Sequence, residues 1–268
     1  MICALPIMAN LIKSNFVRLI KNPLLWISII ASTFNPLYTV LNNYYYGKQF
    51  ELDFTPDDAL VMVANGYIFP IVLSVLITLF IGTEYSDKTI RNRLVVGHSR
   101  FEVYLSNLII CLASAWAMYA VGVIVAVAAG VPLLGNYAHS LKLLLPQLLC
   151  AVLSISALVS IAVLLAMLIS NRVISSVVAL LLSVGLAYVP TPLWDKLYSS
   201  FEGATVTGWK HTFYQITYDL LPTCQLYQYS SDIEAFPKNL DVFSIYSILI
   251  IVVTSAIGLV VFKKKNLK

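Results

Sequence analysis

Long apolar runs with almost no charge alternate along this chain with short stretches that hold nearly all of its ionisable residues. Six runs reach the roughly 20 residues a helix needs to cross a hydrocarbon core of about 30 Å. They cover about 24–42, 59–82, 102–129, 143–169, 173–190 and 243–262. The fifth is the shortest, and its link to the fourth, Ser170-Asn171-Arg172, leaves room only for a tight helical hairpin. Pro36 and Pro70 fall inside the first two runs, where each removes an internal hydrogen bond and predicts a kink. Ahead of the first run, residues 7–22 pattern as an amphipathic helix. Ile7, Met8, Leu11, Ile12, Phe16, Leu19 and Ile20 gather on one side, Asn10, Lys13, Ser14, Arg18 and Lys21 on the other, with Asn15 and Val17 as exceptions. Such a helix is expected to lie flat in the interface with Lys13, Arg18 and Lys21 toward lipid headgroups. The pattern predicts an all-α polytopic membrane protein, one transmembrane domain over 1–268, with six transmembrane helices and an N-terminal interfacial helix.

The composition, 59% hydrophobic and 11% charged, sets this chain apart from soluble domains with roughly 25% charged residues. Charge placement then gives an orientation, because loops kept in the cytoplasm retain Lys and Arg. With the N-terminus inside, twelve of the 17 basic residues are cytoplasmic, grouped at Lys13–Lys21, Lys88–Arg100, Arg172 and Lys263–Lys268. Lys48, Lys142, Lys196, Lys210 and Lys238 lie outside with ten of the thirteen acids. Both termini are expected in the cytoplasm. The net charge of +4 reflects this bias, and no basic groove or stacking motif accompanies it to suggest nucleic acid. Basic residues extending to Lys21, without a small-residue cleavage site after Pro23, argue against a cleavable signal peptide.

Outside, Tyr44, Tyr45 and Tyr46 suit a membrane-interface belt, and Thr55-Pro56-Asp57-Asp58 reads as a helix start with Thr55 as N-cap. Residues 191–241 are too aromatic for a disordered tail and too short for an enzyme domain of ordinary size. They are expected to form an extracellular helical segment over the outer mouth.

Motifs for chemistry are missing. The chain has no G-x-x-x-x-G-K-[ST] phosphate loop and no H-E-x-x-H. His98, His139 and His211, like Cys3, Cys111, Cys150 and Cys224, are dispersed. No catalytic, cofactor-binding or metal site is expected. The six cores hold uncharged polar residues such as Asn35, Asn65 and Gln147 but no Asp, Glu, Lys, Arg or His, so no ion relay is expected in them. An energy source outside this chain and an amphipathic or lipid-like cargo follow.

Residues 82–100, GTEYSDKTIRNRLVVGHSR, break the rule by carrying two acids and four bases between the second and third runs. Ser86 is placed to cap a short helix over about Asp87 to Val96, and Gly97 suits the position past its end. Ser99 then opens the third span with Glu102 three residues on, the spacing of a capping box.

The pattern Glu84-Tyr85-Ser86-Asp87-Lys88-Thr89-Ile90-Arg91, with Leu94 and Gly97-His98-Ser99-Arg100, resembles the cytoplasmic segment of permeases from the second class of ABC exporters. Family members commonly have Gly where Lys88 stands, and many have Pro near His98. Leu221-Pro222-Thr223 is similar to a Leu-Pro element often found before the last span of such permeases.

The resemblance implies a bacterial cytoplasmic-membrane subunit without nucleotide-binding domains. It would work beside a second permease subunit, identical or homologous, and two copies of a separate ABC ATPase that hold ATP and Mg. It also implies that 86–97 is the coupling helix, with Asp87, Lys88, Thr89, Ile90, Arg91, Arg93 and Leu94 as the ATPase contact set and the helix around Lys13–Lys21 as a second contact. Glu84 would anchor the segment by an ion pair or cap. Permeases of this size often resemble exporters of antimicrobial peptides, including self-immunity systems, or of drugs and lipids. A membrane-embedded immunity or scaffold protein, or an ATP-independent flippase, is the alternative.

Overall fold

The computed structural model describes residues 4–63, 68–138, 141–198, 207–231 and 240–265, which form twelve α-helices and no strand. Cys3, Asn65, His139, Lys238 and Lys268 lie outside the described residues, as do 199–206 and 232–239 of the outer segment. Six helices are long and apolar enough to cross a membrane.

Helix α1 (Ala4–Lys21) meets α2 (Pro23–Phe50) at Asn22, whose side chain accepts from Leu24 N–H at 3.0 Å while Pro23 fills the first helical position. The first apolar run therefore continues as helix past residue 42. At 28 residues α2 is roughly 42 Å long, and the three tyrosines expected in a loop ride on its last turns.

The second run is not one helix. A short α3 (Pro56–Val61) ends in a turn at Met62 and Val63, and α4 (Ile68–Ser86) begins beyond it. Asn35 of α2 donates to the Met62 carbonyl at 2.6 Å, so this helix end has a partner inside the bundle. Val63 and Pro56 press against α6 at Gly122 and Gly130, where a Cβ would meet them at 2.5 and 3.2 Å. Thr55 stands at the N-cap of α3 without a side-chain cap bond, and the buried Asp57 instead accepts from Ala138 N–H at 2.7 Å.

Helix α5 (Thr89–Val95) is the short element between α4 and α6 (Arg100–Leu134). Helix α7 (Leu141–Leu168) and α8 (Arg172–Tyr188) form the tight hairpin, and Asn171 caps α8 by accepting from Val173 and Ile174 N–H. Pro190 starts α9 (Pro190–Tyr198), followed by α10 (Trp209–Leu220), α11 (Pro222–Ser231) and the last long helix α12 (Leu240–Lys264).

Helices α4 and α7 are the most enclosed of the long helices, with α6, α8, α11 and α12 around them. Side-chain hydrogen bonds to hydroxyls join the helices where an apolar solvent gives no hydrophobic drive. Ser74–Ser183 links α4 to α8 at 2.9 Å, Trp116–Ser156 links α6 to α7 at 3.0 Å, and Ser160–Thr254 links α7 to α12 at 2.8 Å. Opposite α5, α11 enters the core: buried Gln225 accepts from Ser154 and Ser247 and donates to the Asp219 carbonyl, joining α7, α10 and α12. Wide apolar faces of α2, α8 and α12 stay exposed, as helix surfaces in lipid do.

Candidate functional site

Within residues 82–100 the end of α5 and the start of α6 are held as the spacing suggested, by Gly97, Ser99 and Glu102, but the start of α5 is not. Ser86 does not cap α5. Its hydroxyl donates to the Gly82 carbonyl at 3.1 Å as part of the last turn of α4. The chain turns at Lys88, which adopts a left-handed conformation with φ +54°, and α5 starts at Thr89, not Asp87. Gly is the residue that takes such a positive φ without steric cost.

The far end of α5 closes as a Schellman turn. His98 N–H donates to the Arg93 carbonyl at 3.1 Å, Gly97 N–H to the Leu94 carbonyl at 3.2 Å, and Gly97 has φ +107°. Ser99 and Glu102 then cap α6 reciprocally: Ser99 Oγ accepts from Glu102 N–H at 3.2 Å, and the Glu102 carboxylate accepts from Ser99 N–H at 2.8 Å.

The centre of the region is Glu84, fully buried in the last turn of α4. Its Oε1 pairs with Arg18 at 2.5 Å and with Arg93 at 2.6 Å, and its Oε2 accepts from Asn107 Nδ2 at 2.5 Å. Asn15 completes the cluster. Its carbonyl oxygen accepts from Arg93 at 2.6 Å, and its amide donates to Ser106 Oγ at 2.8 Å and Asn107 Oδ1 at 3.1 Å. Arg18 also donates to the Phe80 carbonyl at 3.2 Å and lies 4.0 Å over the Phe80 ring. One carboxylate thus gathers side chains from α1, α4, α5 and α6.

Two guanidiniums and one carboxylate in a low-dielectric site are costly to desolvate, and are tolerated only where the geometry is good and the remaining donors are filled. Here each Arg reaches Glu84 and a second acceptor, although the buried Arg18 Nε has no hydrogen-bond partner among the described residues. The cluster fixes α5 without relying on its small apolar contact, Ile90 buried and Leu94 partly buried.

The structure divides the expected contact residues. Asp87, Lys88 and Arg91 are exposed and Thr89 partly so, whereas Ile90, Leu94 and Arg93 face the spans, the Arg93 side chain being only 11% exposed. On α1, Lys13 and Lys21 are exposed, but Arg18 turns inward to Glu84 and does not join them, because that carboxylate is the nearest buried counter-charge. The apolar residues of α1 also split, with Leu11 and Leu19 buried and Phe16 and Ile20 exposed.

Sequence reasoning missed Asn15, Ser106 and Asn107. Asn15 was already out of place on its helical face, and that misfit was the available signal. It also missed Val95 and Val96, 79% and 80% exposed at the end of α5. Two adjacent valines in the most polar stretch of the chain mark an apolar tip.

A second tie lies beside the first. Arg100 donates to the carbonyls of Phe262, Lys263 and Lys265 at 2.8, 3.1 and 2.5 Å, closing the C-terminal end of α12. Lys265 donates to Tyr85 Oη at 3.0 Å and to the Met167 carbonyl at 2.7 Å. Burial pushes its ammonium down to about 8.

Residues 11–189, two thirds of the chain, match the family model described as ABC-2 family transporter protein. The chain belongs to the ABC-2 family. A search of curated proteins finds no match. The matched span takes in every residue of the Glu84 cluster, α5, the first four membrane-crossing helices and α8. This ABC-2 protein is a transmembrane permease of an ABC transporter, a class that generally works with an ATPase subunit.

Proposed function

We propose that this permease is the membrane subunit of an ATP-driven exporter and that α5 receives the stroke of a separate ABC ATPase. The carrying observation is the Glu84 cluster. It ties a seven-residue helix with an exposed tip to three membrane-associated helices through one buried carboxylate. A short helix held this way delivers displacement into the bundle, where a loop would absorb it.

In this reading the exposed residues of α5 and of its two ends (Asp87, Lys88, Arg91, Val95 and Val96) meet the ATPase, with Lys13 and Lys21 of α1 as a second contact. The α5 side is cytoplasmic, as the grouping of Lys and Arg supports. Two permease subunits, identical or homologous, stand over two ATPase subunits that hold ATP and Mg in a bacterial cytoplasmic membrane. The cargo is an amphipathic molecule, such as an antimicrobial peptide, drug or lipid, moved out of the cytoplasm or membrane.

The test is co-purification. The wild-type permease should bring down a soluble Walker-motif ATPase, and Arg91→Glu with Val96→Asp should lose it while inserting and melting as wild type. Arg93 is left out of the variant because it serves the internal cluster. Retention of the ATPase by that variant would sink the assignment of α5. An ATPase that never co-purifies would leave the immunity or scaffold reading, or an ATP-independent flippase.

A further inference from the structure

A groove of about 520 Å³ opens between the start of α6 and the end of α12, lined by Ser99, Arg100, Phe101, Leu259, Val260 and Lys263. That size falls within the roughly 300–1,000 Å³ of small-molecule sites. Its two ends differ in chemistry. Arg100 and Lys263 stand at the polar end, with exposed Lys264 next in sequence. Phe101 and Val260, 55% and 57% exposed, make the apolar wall with Leu259. Glu102 is the nearby acid, and its carboxylate is occupied by Ser99 N–H at 2.8 Å with His98 at 3.8 Å.

We infer that this groove binds an anionic phospholipid, its phosphate at Arg100 and Lys263 and an acyl chain along Phe101, Leu259 and Val260. Charge complementarity selects this occupant. Cations beside apolar surface at the end of a membrane-crossing helix are what an anionic headgroup with attached chains satisfies in one step. A second copy of the chain fits poorly, because a twofold contact through this patch would bring the cations of one copy toward those of the other. Arg100 also holds the α12 carbonyls, so an occupied groove would brace the junction of α6 and α12 beside α5.

The experiment is native mass spectrometry of the full-length permease in detergent. It is titrated with a phosphatidylglycerol, a phosphatidylcholine of identical chains, and free glycerol phosphate. The phosphatidylglycerol should bind in preference to both, and Lys263→Gln should weaken it about fivefold, the worth of one surface cation near anionic lipid. Leu259→Trp, which fills the groove without changing charge, should weaken it as well. Lys263 is exposed, so its variant keeps the fold even if Leu259→Trp does not. Equal binding of phosphatidylcholine, equal binding of glycerol phosphate, or unchanged affinity in Lys263→Gln would each overturn the site. So would efficient disulfide linkage of two copies through Val260→Cys.

Discussion

Replacing Glu84 by Gln removes the negative charge that two guanidiniums share and leaves the volume nearly unchanged. The new amide cannot accept from Arg18 and Arg93 and also from Asn107 as the carboxylate does, because one of its two termini is a donor. Removing one partner of a buried ion pair costs about 3–5 kcal/mol. The Arg18 side chain is 30% exposed and can turn toward water, while Arg93, at 11%, stays enclosed. The lower end, about 3 kcal/mol, is therefore the expected cost, or roughly a hundredfold in the equilibrium that keeps α5 docked.

Hydrogen exchange of the α5 amides in lipid nanodiscs reads this equilibrium directly. Protection over residues 92–96 should fall about a hundredfold, while the middle of α7 stays protected. A triple variant, Arg18→Gln with Glu84→Gln and Arg93→Gln, should recover part of the loss, because it leaves no uncompensated charge. Unchanged α5 exchange in Glu84→Gln would refute the claim that this carboxylate holds the helix. A triple variant worse than the single one would refute the electrostatic account of it.

Lys88→Gly should raise the melting temperature, because a non-glycine residue in the left-handed region costs roughly 1–2 kcal/mol, and Lys88→Val should lower it. Gly258→Val drives a side chain into the buried Tyr104 ring that lies against it and should destabilise the α6–α12 contact by about 1–3 kcal/mol, with partial rescue by Tyr104→Ala in a double-mutant cycle. Lys265 should make the stability of its contact with α4 and α7 pH-dependent. Its pKa is lowered from 10.5 to about 8 on folding, so the unfolded state binds more protons between those values, and stability rises with pH across that window. Compared by difference, thermal unfolding from pH 7.5 to 10.5 should show the wild type gaining stability relative to Lys265→Met as pH rises.

The six crossings could be read from the chain because hydrocarbon solvent leaves a coarse mark: about 20 apolar residues in a row. Their ends could not, since Pro23, Gly135 and Pro190 act within a residue or two and the apolar signal fades over several. The break after α3 was hidden in a run that satisfies the length rule; the Asn35 bond to Met62, 27 residues away, and the packing of Val63 on Gly122 are long-range contacts that local patterning does not register.

For the site, the Ser99–Glu102 box follows from local spacing. Ser86 is misread by the same local logic, because its hydroxyl has the Gly82 carbonyl within its own helix. The inward turn of Arg18 and Arg93 depends on a partner 66 and 9 residues away, respectively, and amphipathic counting treats every cation as facing solvent. Asn15 was the legible exception: a polar residue on the wrong face of a helix signals a polar partner inside.

The two ends of the second apolar run are tied in different ways. At the α5 end, α1, α4, α5 and α6 share one carboxylate and resist relative displacement together. At the opposite end the helical ladder is interrupted before α4 begins, and α3 rests on α6 through glycine contacts. On the proposed coupling, a push on α5 would therefore move α1, α4 and α6 together.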